Sequence, residues 1–431
     1  MTFETFKSFV LIILVGLSLI LTYSLWTFQP NYDRYKSDLQ YVSEVDLGGD
    51  LVTKKSIIKP YMMIFRMHGE YFSFKQPNIG QRLFSDLQEY TLMNFTASEA
   101  TDLSRENYLI EIMFPESLPL ETIKSLFILD DPDEKLPNWT YQTMYLVFDE
   151  ERTQIEVHFL STDGQEQISF VIESVRAITN LWSTVTKEET LERYFLVENL
   201  SPRIYLPENR PTIQTRTLAI ERIAPSKLVD ALFSNPALVS PNVGEAYFTD
   251  GQRGMRVLND RKSIEYINPI QSSYEHMEKL TLLDESISKI NDHAGWTNDF
   301  YLDTIVSSLN QVVYRMHYDN YPIFHQGDLS IIDHQWRQND VYKYKRPIFY
   351  LKSSFGGNFI NLPSGHELMN YLQGHLENNI EHVRDIRLGY NLIYLDSEPY
   401  SVSLEPAWFM NYNGQWQIIR MIEPDFDEGG V

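Results

Sequence analysis

The first hydrophobic feature of the chain is a long apolar run near its beginning. No charged residue occurs over 8–32, and the most apolar part covers 9–26. A helix over that part would be roughly 27 Å long, which nearly matches a hydrocarbon core of about 30 Å. Pro30 would end such a helix. The pattern predicts a transmembrane helix over residues 9–29, preceded by a short cytoplasmic tail over 1–8.

Two other interpretations of this run are open. A cleaved signal peptide would have a shorter apolar stretch and small residues at its cleavage site, whereas this run ends in Tyr23, Ser24, Leu25 and Trp26. A buried core helix is less expected, because the run is apolar on all sides, whereas most helices that pack against a core are apolar along one stripe. We therefore expect an uncleaved, single-pass anchor in the cell membrane, with the N-terminus in the cytoplasm and the bulk of the protein outside it.

One face of the predicted anchor combines hydroxyl-bearing and aliphatic residues. Ser18 and Thr22 are four positions apart, so they share a helix face with Leu11, Val15 and Leu25. Small residues let two helices approach closely, and hydroxyls can bond between helices. The same hydroxyls can bond back to their own helix in a passive tether that contacts membrane lipid. This face is the candidate partner-binding site.

The part after the anchor alternates between polar stretches and strand-like runs. The polar segment 30–60 is interpreted as a stalk, and from Tyr61 onward an α+β pattern begins. Its first predicted strands are Tyr61–Phe65, Leu109–Phe114, Met144–Phe148, Gln154–Leu160 and Gln167–Ile172. Helical spacing is shown by Leu83, Leu87 and Tyr90, and again by Leu120, Ile123 and Phe127.

A proline-rich passage suggests a domain boundary. It contains Pro202, Pro207 and Pro211. After it, Ser226 is expected to cap a short helix, three strands follow within 246–267, and a helix is predicted over Tyr274–Ile290. We predict three outer domains, over residues 61–205, 206–300 and 301–431.

The last third repeats this alternation. Val341–Leu351 is predicted as one strand, with Pro347 placing it at an edge or a bulge. Ser364 and Glu367 have the spacing of a capping box, and Asn413-Gly414 predicts a hairpin. The fold class expected from the whole pattern is α+β, with mainly antiparallel sheets.

Composition limits the kinds of partner and chemistry. The chain has no cysteine, which suits an extracytoplasmic protein without disulfides and excludes thiolate chemistry. Its 431 residues carry a net charge of −23. Such an acidic surface repels nucleic acid, so no nucleic-acid partner is expected. An acidic surface also favours solubility, and by itself it does not identify a partner.

The strongest enzyme motif is Ser-x-x-Lys, the nucleophile motif of penicillin-recognising enzymes. It occurs at Ser56–Lys59 and at Ser286–Lys289. A chain of this composition gives such matches by chance, and the companion Lys-Thr-Gly strand is missing. The phosphate-binding, dinucleotide-binding and zinc-protease motifs are absent as well. We predict no catalytic site, no metal and no cofactor.

Other chemistry-bearing groups have structural explanations. His317, His325 and His334 lie eight and nine positions apart, which does not force a metal site. The aromatic residues of the strand-like runs are expected in the core, with a ligand platform as the alternative; they are Trp336, Tyr344, Phe349, Trp408 and Trp416. The cluster Arg315, Lys343, Lys345 and Arg346 is expected to pair with local carboxylates rather than to bind a polyanion.

Several motifs together resemble one known family. They are Thr22–Pro30 at the end of the anchor, Tyr247–Gly251, Tyr266–Pro269, His293–Trp296 and Leu404–Trp408. In their order and spacing they resemble the YycH family over essentially the whole chain. The resemblance leads us to expect a second glycine at position 294, where this chain has alanine.

The resemblance implies a function that composition does not. YycH proteins are auxiliary regulators of the YycG (WalK) sensor histidine kinase of Gram-positive bacteria, and they form a membrane complex with that kinase and with YycI. The last two outer domains of the family are YycI-like. We therefore expect a non-enzymatic regulator in a cell-wall-homeostasis two-component system, acting through transmembrane contacts. The alternatives are an anchored cell-wall-active enzyme and an extracellular ligand-binding sensor.

Overall fold

The structure is a computed structural model of the chain. It describes residue 18 and residues 45–103, 106–149, 153–198, 200, 202–242, 246–259, 261–269, 274–337, 340–395 and 400–421. The predicted anchor and most of its candidate face lie outside these residues. Among the described residues, no helix has both the length and the apolar character needed to cross a bilayer.

Ten strands form the first sheet, because their β-branched and aromatic runs can each bury one face. Its order is β10-β9-β2-β1-β4-β6-β7-β8-β3-β5. The strands are β1 (Met62–Met67), β2 (Glu70–Phe74), β3 (Thr91–Glu99), β4 (Tyr108–Pro119), β5 (Ile128–Leu129), β6 (Thr140–Phe148), β7 (Ile155–Ser161), β8 (Glu166–Ile172), β9 (Leu191–Leu196) and β10 (Tyr205–Pro207).

A second sheet of fourteen strands contains most of the rest. The order is β13-β14-β15-β16-β21-β20-β18-β19-β24-β25-β12-β22, with β17 on β18 and β26 on β25. The strands are β12 (Arg216–Arg222), β13 (Ser240–Asn242), β14 (Tyr247–Thr249), β15 (Gly254–Leu258), β16 (Ser263–Ile267), β17 (Phe300–Val306), β18 (Gln311–Tyr318), β19 (Tyr321–Phe324), β20 (Ile331–Arg337), β21 (Asp340–Pro347), β22 (Phe349–Ser354), β24 (Val383–Tyr394), β25 (Ser401–Tyr412) and β26 (Gln415–Ile418).

A two-stranded ribbon and several short helices complete the fold. The ribbon pairs β11 (Thr212–Gln214) with β23 (Phe359–Asn361). Among the described residues from 45 onward, the α-helices are α1 (Lys54–Ile57), α2 (Pro77–Leu87), α3 (Ile123–Leu126), α4 (Val175–Val185), α5 (Pro225–Leu232), α6 (Lys279–Asn291) and α7 (Gly365–Leu376). In the same part of the chain, the 3₁₀ turns are Leu120–Thr122, Glu188–Thr190, Pro236–Leu238, Ser307–Leu309 and Glu377–His382.

The predicted fold class agrees with this architecture. Helices and sheets are mixed, and the described strands pair antiparallel except where β3 meets β5 and where β19 meets β24. Contacts place the described residues from 45 onward in a single compact unit. Along the chain, the change from the first large sheet to the second falls at the proline-rich passage. The last strand of the first sheet ends at Pro207, and the first strand of the second sheet begins at Arg216. The division into three domains stays a prediction.

Several local predictions are confirmed. The Ser364 backbone N–H donates to a Glu367 carboxylate oxygen at 2.8 Å, and the Glu367 N–H donates to the Ser364 hydroxyl, which is the predicted capping box. Asn413 and Gly414 have φ values of 51° and 82°, as a tight hairpin turn requires. Both motifs act within four residues, so the sequence was enough to predict them.

Three local predictions are wrong at their boundaries. Helix α5 begins at Pro225, because proline suits the first helical position, so Ser226 lies inside the helix and is not its cap. Helix α6 begins at Lys279 and not at Tyr274, because the Met277 N–H is held by the Asn310 side chain at 3.0 Å. The predicted strand Val341–Leu351 is two strands, broken at Ile348.

The segment expected to be a stalk is packed where the structure describes it. Leu47, Ile57 and Ile58 are buried in the main hydrophobic core. The Leu47 N–H donates to the His293 carbonyl at 3.0 Å, and Val52 exchanges two hydrogen bonds with the Asn291 amide. From residue 45 onward this part of the chain therefore belongs to the folded region and does not extend from it.

Candidate functional site between the two sheets

Two bulged strands face each other where the two sheets meet. Pairing of β4 with β6 shifts between Met113 and Leu118, and pairing of β17 with β18 shifts between Leu302 and Thr304. Bulges redirect side chains out of the regular alternation. Glu116 on β4 thereby reaches across: its carboxylate accepts from the Thr304 hydroxyl at 2.8 Å and from the Ile305 N–H at 3.2 Å.

A buried charge network lies beside this contact. The Arg387 Nε donates to Asp385 at 2.7 Å, and its Nη1 lies 3.7 Å from Asp303. Asp303 also accepts from the Arg315 Nη2 at 2.7 Å. The Arg387 guanidinium stacks over the Tyr61 ring at 4.1 Å, which brings the first sheet into the network.

Burial and pairing act in opposite directions on the two carboxyl groups. Burial alone would raise the pKa of Asp303, but the Arg315 and Arg387 guanidiniums hold it below its ordinary value. Burial raises the pKa of Asp385, and its hydrogen bond to Arg387 offsets this in part. Asp303 is therefore the firmly ionised acid of the network.

A cavity of about 370 Å³ opens on one side of the network. The first sheet and its helices supply one wall, and residues after 209 supply the other. The lining side chains that carry charge are Lys59, Lys75, Glu192, Arg210, Asp303 and Arg387. Its uncharged walls include Tyr61, Met62, Phe74, Ile213 and Tyr321. Its size and mixed lining are typical of a small-molecule site.

A second cavity of about 700 Å³ opens on the other side. It shares Tyr61, Pro115, Asp303 and Arg387 with the first cavity, so the Arg387 network separates the two. Glu111 lines this second cavity; it accepts from Tyr205 at 2.8 Å, and Arg203 lies 3.6 Å away. The Glu111 carboxylate is thus paired within this cavity.

Two titratable groups of the smaller cavity have shifted pKa values. Burial raises the pKa of Glu192 to about 7, against the effects of the Tyr194 hydroxyl and of Lys75. Burial lowers the pKa of His317 to about 4, although Asp303 lies nearby. Near pH 7 the imidazole is neutral, and Glu192 exchanges its proton in that range.

The two Ser-x-x-Lys motifs are not assembled as catalytic pairs. The Ser56 hydroxyl bonds with Thr53 in the first turn of α1. Ser286 is fully buried and contacts His334 Nδ1 at 3.1 Å and the Tyr314 hydroxyl at 3.1 Å, while Lys289 lies on the exposed side near Asp292. Neither serine has its motif lysine as a hydrogen-bond partner in the described structure.

The three predicted histidines are not brought together. His317 belongs to the Arg387 network, His325 accepts from the Gly327 N–H at 2.8 Å, and His334 is buried beside Ser286. No group of three or more potential ligands that could hold a metal occurs among the described residues.

The basic cluster is paired locally, as predicted, except at one position. Lys343 lies 3.6 Å from Glu265 and Lys345 lies 2.8 Å from Asp328, while Arg315 pairs with Asp303. Arg346 is fully buried and donates to the Tyr344 and Thr297 hydroxyls. Its partners are uncharged, so this part of the prediction is wrong for Arg346.

The aromatic residues on the strands are mostly core residues. Trp336, Tyr344, Phe349 and Trp408 are each at most 5% exposed. Trp416 differs, because it lines the larger cavity and stacks with Arg387 at 4.9 Å. The alternative of an aromatic platform thus has one candidate residue, at the charge network.

Of the predicted anchor face, only Ser18 is described. It is helical and exposed. Leu11, Val15, Thr22 and Leu25 lie outside the described residues, so this candidate site stays a prediction.

The site between the sheets was missed by sequence reasoning. One signal was available: Asp303 and Arg315 interrupt otherwise apolar strands, and charges at such positions are buried only when paired. Their pairing with Arg387, more than 70 positions further on, has no local signature.

Comparison with known proteins decides the relationship of the chain. The family model of the YycH protein N-terminal domain matches residues 4–190, and that of the YycH protein C-terminal domain matches residues 201–425. This chain belongs to the YycH family. A relative from Bacillus subtilis, named two-component system WalR/WalK regulatory protein YycH, is 23% identical over 96% of this chain and 95% of its own length.

A solved structure supports the same fold. The crystal structure of YycH from Bacillus subtilis matches with a TM-score of 0.73 and 17% identity, over 87% of this chain and 98% of that chain. The resemblance seen in the sequence motifs is confirmed by these matches. The YycH motifs have structural roles here: Trp296 is 3% exposed, and the Trp408 indole donates to the Pro363 carbonyl at 2.9 Å.

Proposed function

We propose that this protein is a membrane-anchored, non-enzymatic regulator of a WalK-type sensor histidine kinase, in a two-component system for cell-wall homeostasis. The observation that supports this is the successive match of both YycH segments along the chain, together with a full-length relative named as a WalR/WalK regulatory protein. The described Ser56 and Ser286 environments give no support to the alternative of a cell-wall-active enzyme.

The regulator acts through its anchor. The face formed by Leu11, Val15, Ser18, Thr22 and Leu25 packs against transmembrane helices of the kinase and of a YycI-type partner. A coupling free energy of about 1–3 kcal/mol between this contact and the two states of the kinase changes its output severalfold or more. The folded outer region stays outside the cytoplasm in this arrangement.

The first experiment changes the anchor face. The double variant Ser18→Leu/Thr22→Leu removes both hydroxyls and fills the space that a neighbouring helix would occupy. It should reduce co-purification with the kinase and change the output of a reporter controlled by its response regulator. Ser24→Leu, off this face, is the matched control and should change neither. An unchanged complex and an unchanged reporter in the double variant would contradict the proposal.

The second experiment separates the regulator from a ligand-binding sensor, the alternative that the cavities between the sheets favour. Residues 1–30 are replaced by an unrelated single-pass anchor, so that the outer region stays on the membrane. A regulator acting through its helix should lose its effect on the reporter. A sensor acting through its outer region alone should keep it.

A further inference from the structure

The smaller cavity between the sheets has a charge balance opposite to that of the whole chain. Its lining contains four lysine or arginine side chains and two acidic ones. The chain as a whole has 59 acidic and 36 lysine or arginine residues. A cationic cavity in so acidic a protein would concentrate an anion where the rest of the surface repels it.

Two of the four cations are already neutralised. Arg210 forms a two-pronged ion pair with Glu367. Arg387 is paired with Asp385 and Asp303. A third cation, Lys75, donates its Nζ to the Glu189 carbonyl at 2.9 Å and acts on the Glu192 carboxyl of the same cavity, lowering its pKa. Lys59 is thus the cation of the lining for which the described residues supply no nearby carboxylate.

Lys59 is a half-buried ammonium group without an acidic partner. Within the described part of the chain, no carboxylate lies within ion-pair distance of it. Its Nζ lies over the Phe84 ring, 5.9 Å from the ring centroid. Burial, followed by repulsion from Lys55, lowers the pKa of Lys59. A charge removed from water without a partner costs free energy, and a bound anion would recover part of it.

The wall beside Lys59 is nonpolar, and it holds one unsatisfied polar atom. Met62, Phe74 and Ile213 line the same cavity. The Gln81 side chain also lines it; its amide donates to the Pro60 carbonyl at 2.8 Å, while its buried oxygen has no hydrogen-bond partner. Buried polar atoms are normally satisfied, so a bound water that donates to this oxygen is expected beside the ligand.

We propose that this cavity binds a small organic acid, whose carboxylate pairs with the Lys59 ammonium and whose nonpolar body lies against Met62, Phe74 and Ile213. A volume of about 370 Å³ is enough for a molecule of that kind. The cavity walls come from both sides of the junction between the sheets, so the ligand touches both. Such binding does not depend on whether the protein regulates a kinase.

The test is calorimetric titration of the full chain in nanodiscs, with empty nanodiscs as the reference. Three probes separate charge from nonpolar contact: 4-phenylbutyrate, the uncharged 4-phenylbutanol and acetate. We expect 4-phenylbutyrate to saturate one site. The alcohol should bind at least about tenfold more weakly, because it lacks the charge-assisted contact with Lys59. Acetate should bind more weakly than 4-phenylbutyrate, because it lacks the nonpolar part that contacts the cavity wall.

The decisive variants exchange two neighbouring lysines. Lys59→Met should weaken 4-phenylbutyrate binding at least about tenfold and leave the alcohol unaffected. Lys55→Met is the matched control, since Lys55 pairs with Glu89 at 2.7 Å and does not line the cavity, and its affinity for the acid should be unchanged. Thermal unfolding of each variant verifies that it is folded.

Three outcomes would overturn the proposal. They are equal affinity of Lys59→Met and the unchanged chain for the acid, equal affinity of the acid and the alcohol, and no saturable binding of 4-phenylbutyrate above the nanodisc reference.

Discussion

Glu116 and Lys279 form an ion pair of 3.2 Å between strand β4 of the first sheet and helix α6, which precedes strand β17. Their side chains are only 18% and 22% exposed. The second carboxylate oxygen of Glu116 accepts from Thr304 and from the Ile305 backbone. One carboxylate therefore joins two parts of the fold that are more than 160 positions apart in the sequence.

Removing this carboxylate should loosen the junction. Glu116→Ala leaves the Lys279 ammonium with its hydrogen bonds to Ser117 but without a counter-ion, and it leaves the Ile305 N–H without its acceptor, in a half-buried site. We expect a loss of about 2–4 kcal/mol in the free energy of unfolding, measured by urea denaturation. Glu221→Ala is the matched control, because the Glu221–Lys352 pair is 63% and 48% exposed. It should cost less than about 1 kcal/mol. Equal effects of the two changes would contradict this account of the junction.

The alanine that departs from the family motif has a backbone conformation that favours glycine. Ala294 has a φ of +47°, in the left-handed region. Ala294→Gly should therefore raise the free energy of unfolding by up to about 1 kcal/mol, because the steric cost of the Cβ exceeds the entropy that glycine loses. The measurement is the urea midpoint at constant slope.

The adjacent position should respond with the opposite sign. A Cβ on Gly295 would lie 2.7 Å from His293 Nε2, 2.8 Å from Ile290 Cγ2 and 2.9 Å from Arg346 Nη1. Gly295→Ala should cost about 1–3 kcal/mol by overpacking. Gly374→Ala, on helix α7 with nothing within 4 Å, controls for the general effect of the substitution and should stabilise by about 0.5–1 kcal/mol. A stabilised Gly295→Ala protein would show that this contact is not tight.

These positions also show what the sequence can and cannot predict. The capping box at Ser364 and the hairpin at Asn413-Gly414 depend on neighbours within a few residues, and both were predicted correctly. The start of α6 depends on Asn310, which lies 33 positions from Met277, and it was predicted wrongly. Periodicity locates strands because burial alternates along them. It carries no information about which strands become neighbours.

The candidate site likewise depends on long-range contacts that local sequence does not reveal. Outside that site, the positive φ of Ala294 was indicated only by the family motif, which has glycine there. The cavity beside Lys59 needs Met62 and Phe74 from one end of the chain and Ile213 from its middle, at distances that no motif encodes. The charges at Asp303 and Arg315 were visible as interruptions of apolar strands, but their partner Arg387 was not.

A buried histidine should make the protein less stable in acid. Burial, followed by repulsion from Lys289, lowers the pKa of His334 to about 3. Its buried Nε2 also has no hydrogen-bond acceptor among the described residues that would stabilise a proton there. The unfolded chain takes up the proton near pH 6.5, whereas the folded chain takes it up only near pH 3. The contribution of His334 to stability is thus present above pH 6.5 and is lost as the pH falls from there towards 3.

The measurement is the free energy of unfolding between pH 7 and pH 4. His334→Gln removes the titrating group, so the variant should lose less stability over this interval than the unchanged chain, even if it is less stable at pH 7. His68→Gln, at an exposed histidine, is the control for the substitution itself. Parallel pH profiles for His334→Gln and the unchanged chain would show that His334 is not protonated on unfolding.

Glu192 should produce a pH dependence of the opposite sign, at higher pH. Burial raises its pKa to about 7 in the folded chain, whereas an unfolded glutamate titrates near 4.5. The folded chain therefore binds the extra proton between these values, and the stability that this provides is lost as the pH rises through 7.

Glu192→Gln keeps a neutral side chain of the same shape at every pH. It should be more stable than the unchanged chain at pH 8, and this advantage should be much smaller at pH 5. Glu188→Gln, at an exposed position in the preceding 3₁₀ turn, is the control. If Glu192→Gln changes stability equally at pH 5 and pH 8, the Glu192 carboxyl is ionised throughout, and the cavity is wetter than its lining indicates.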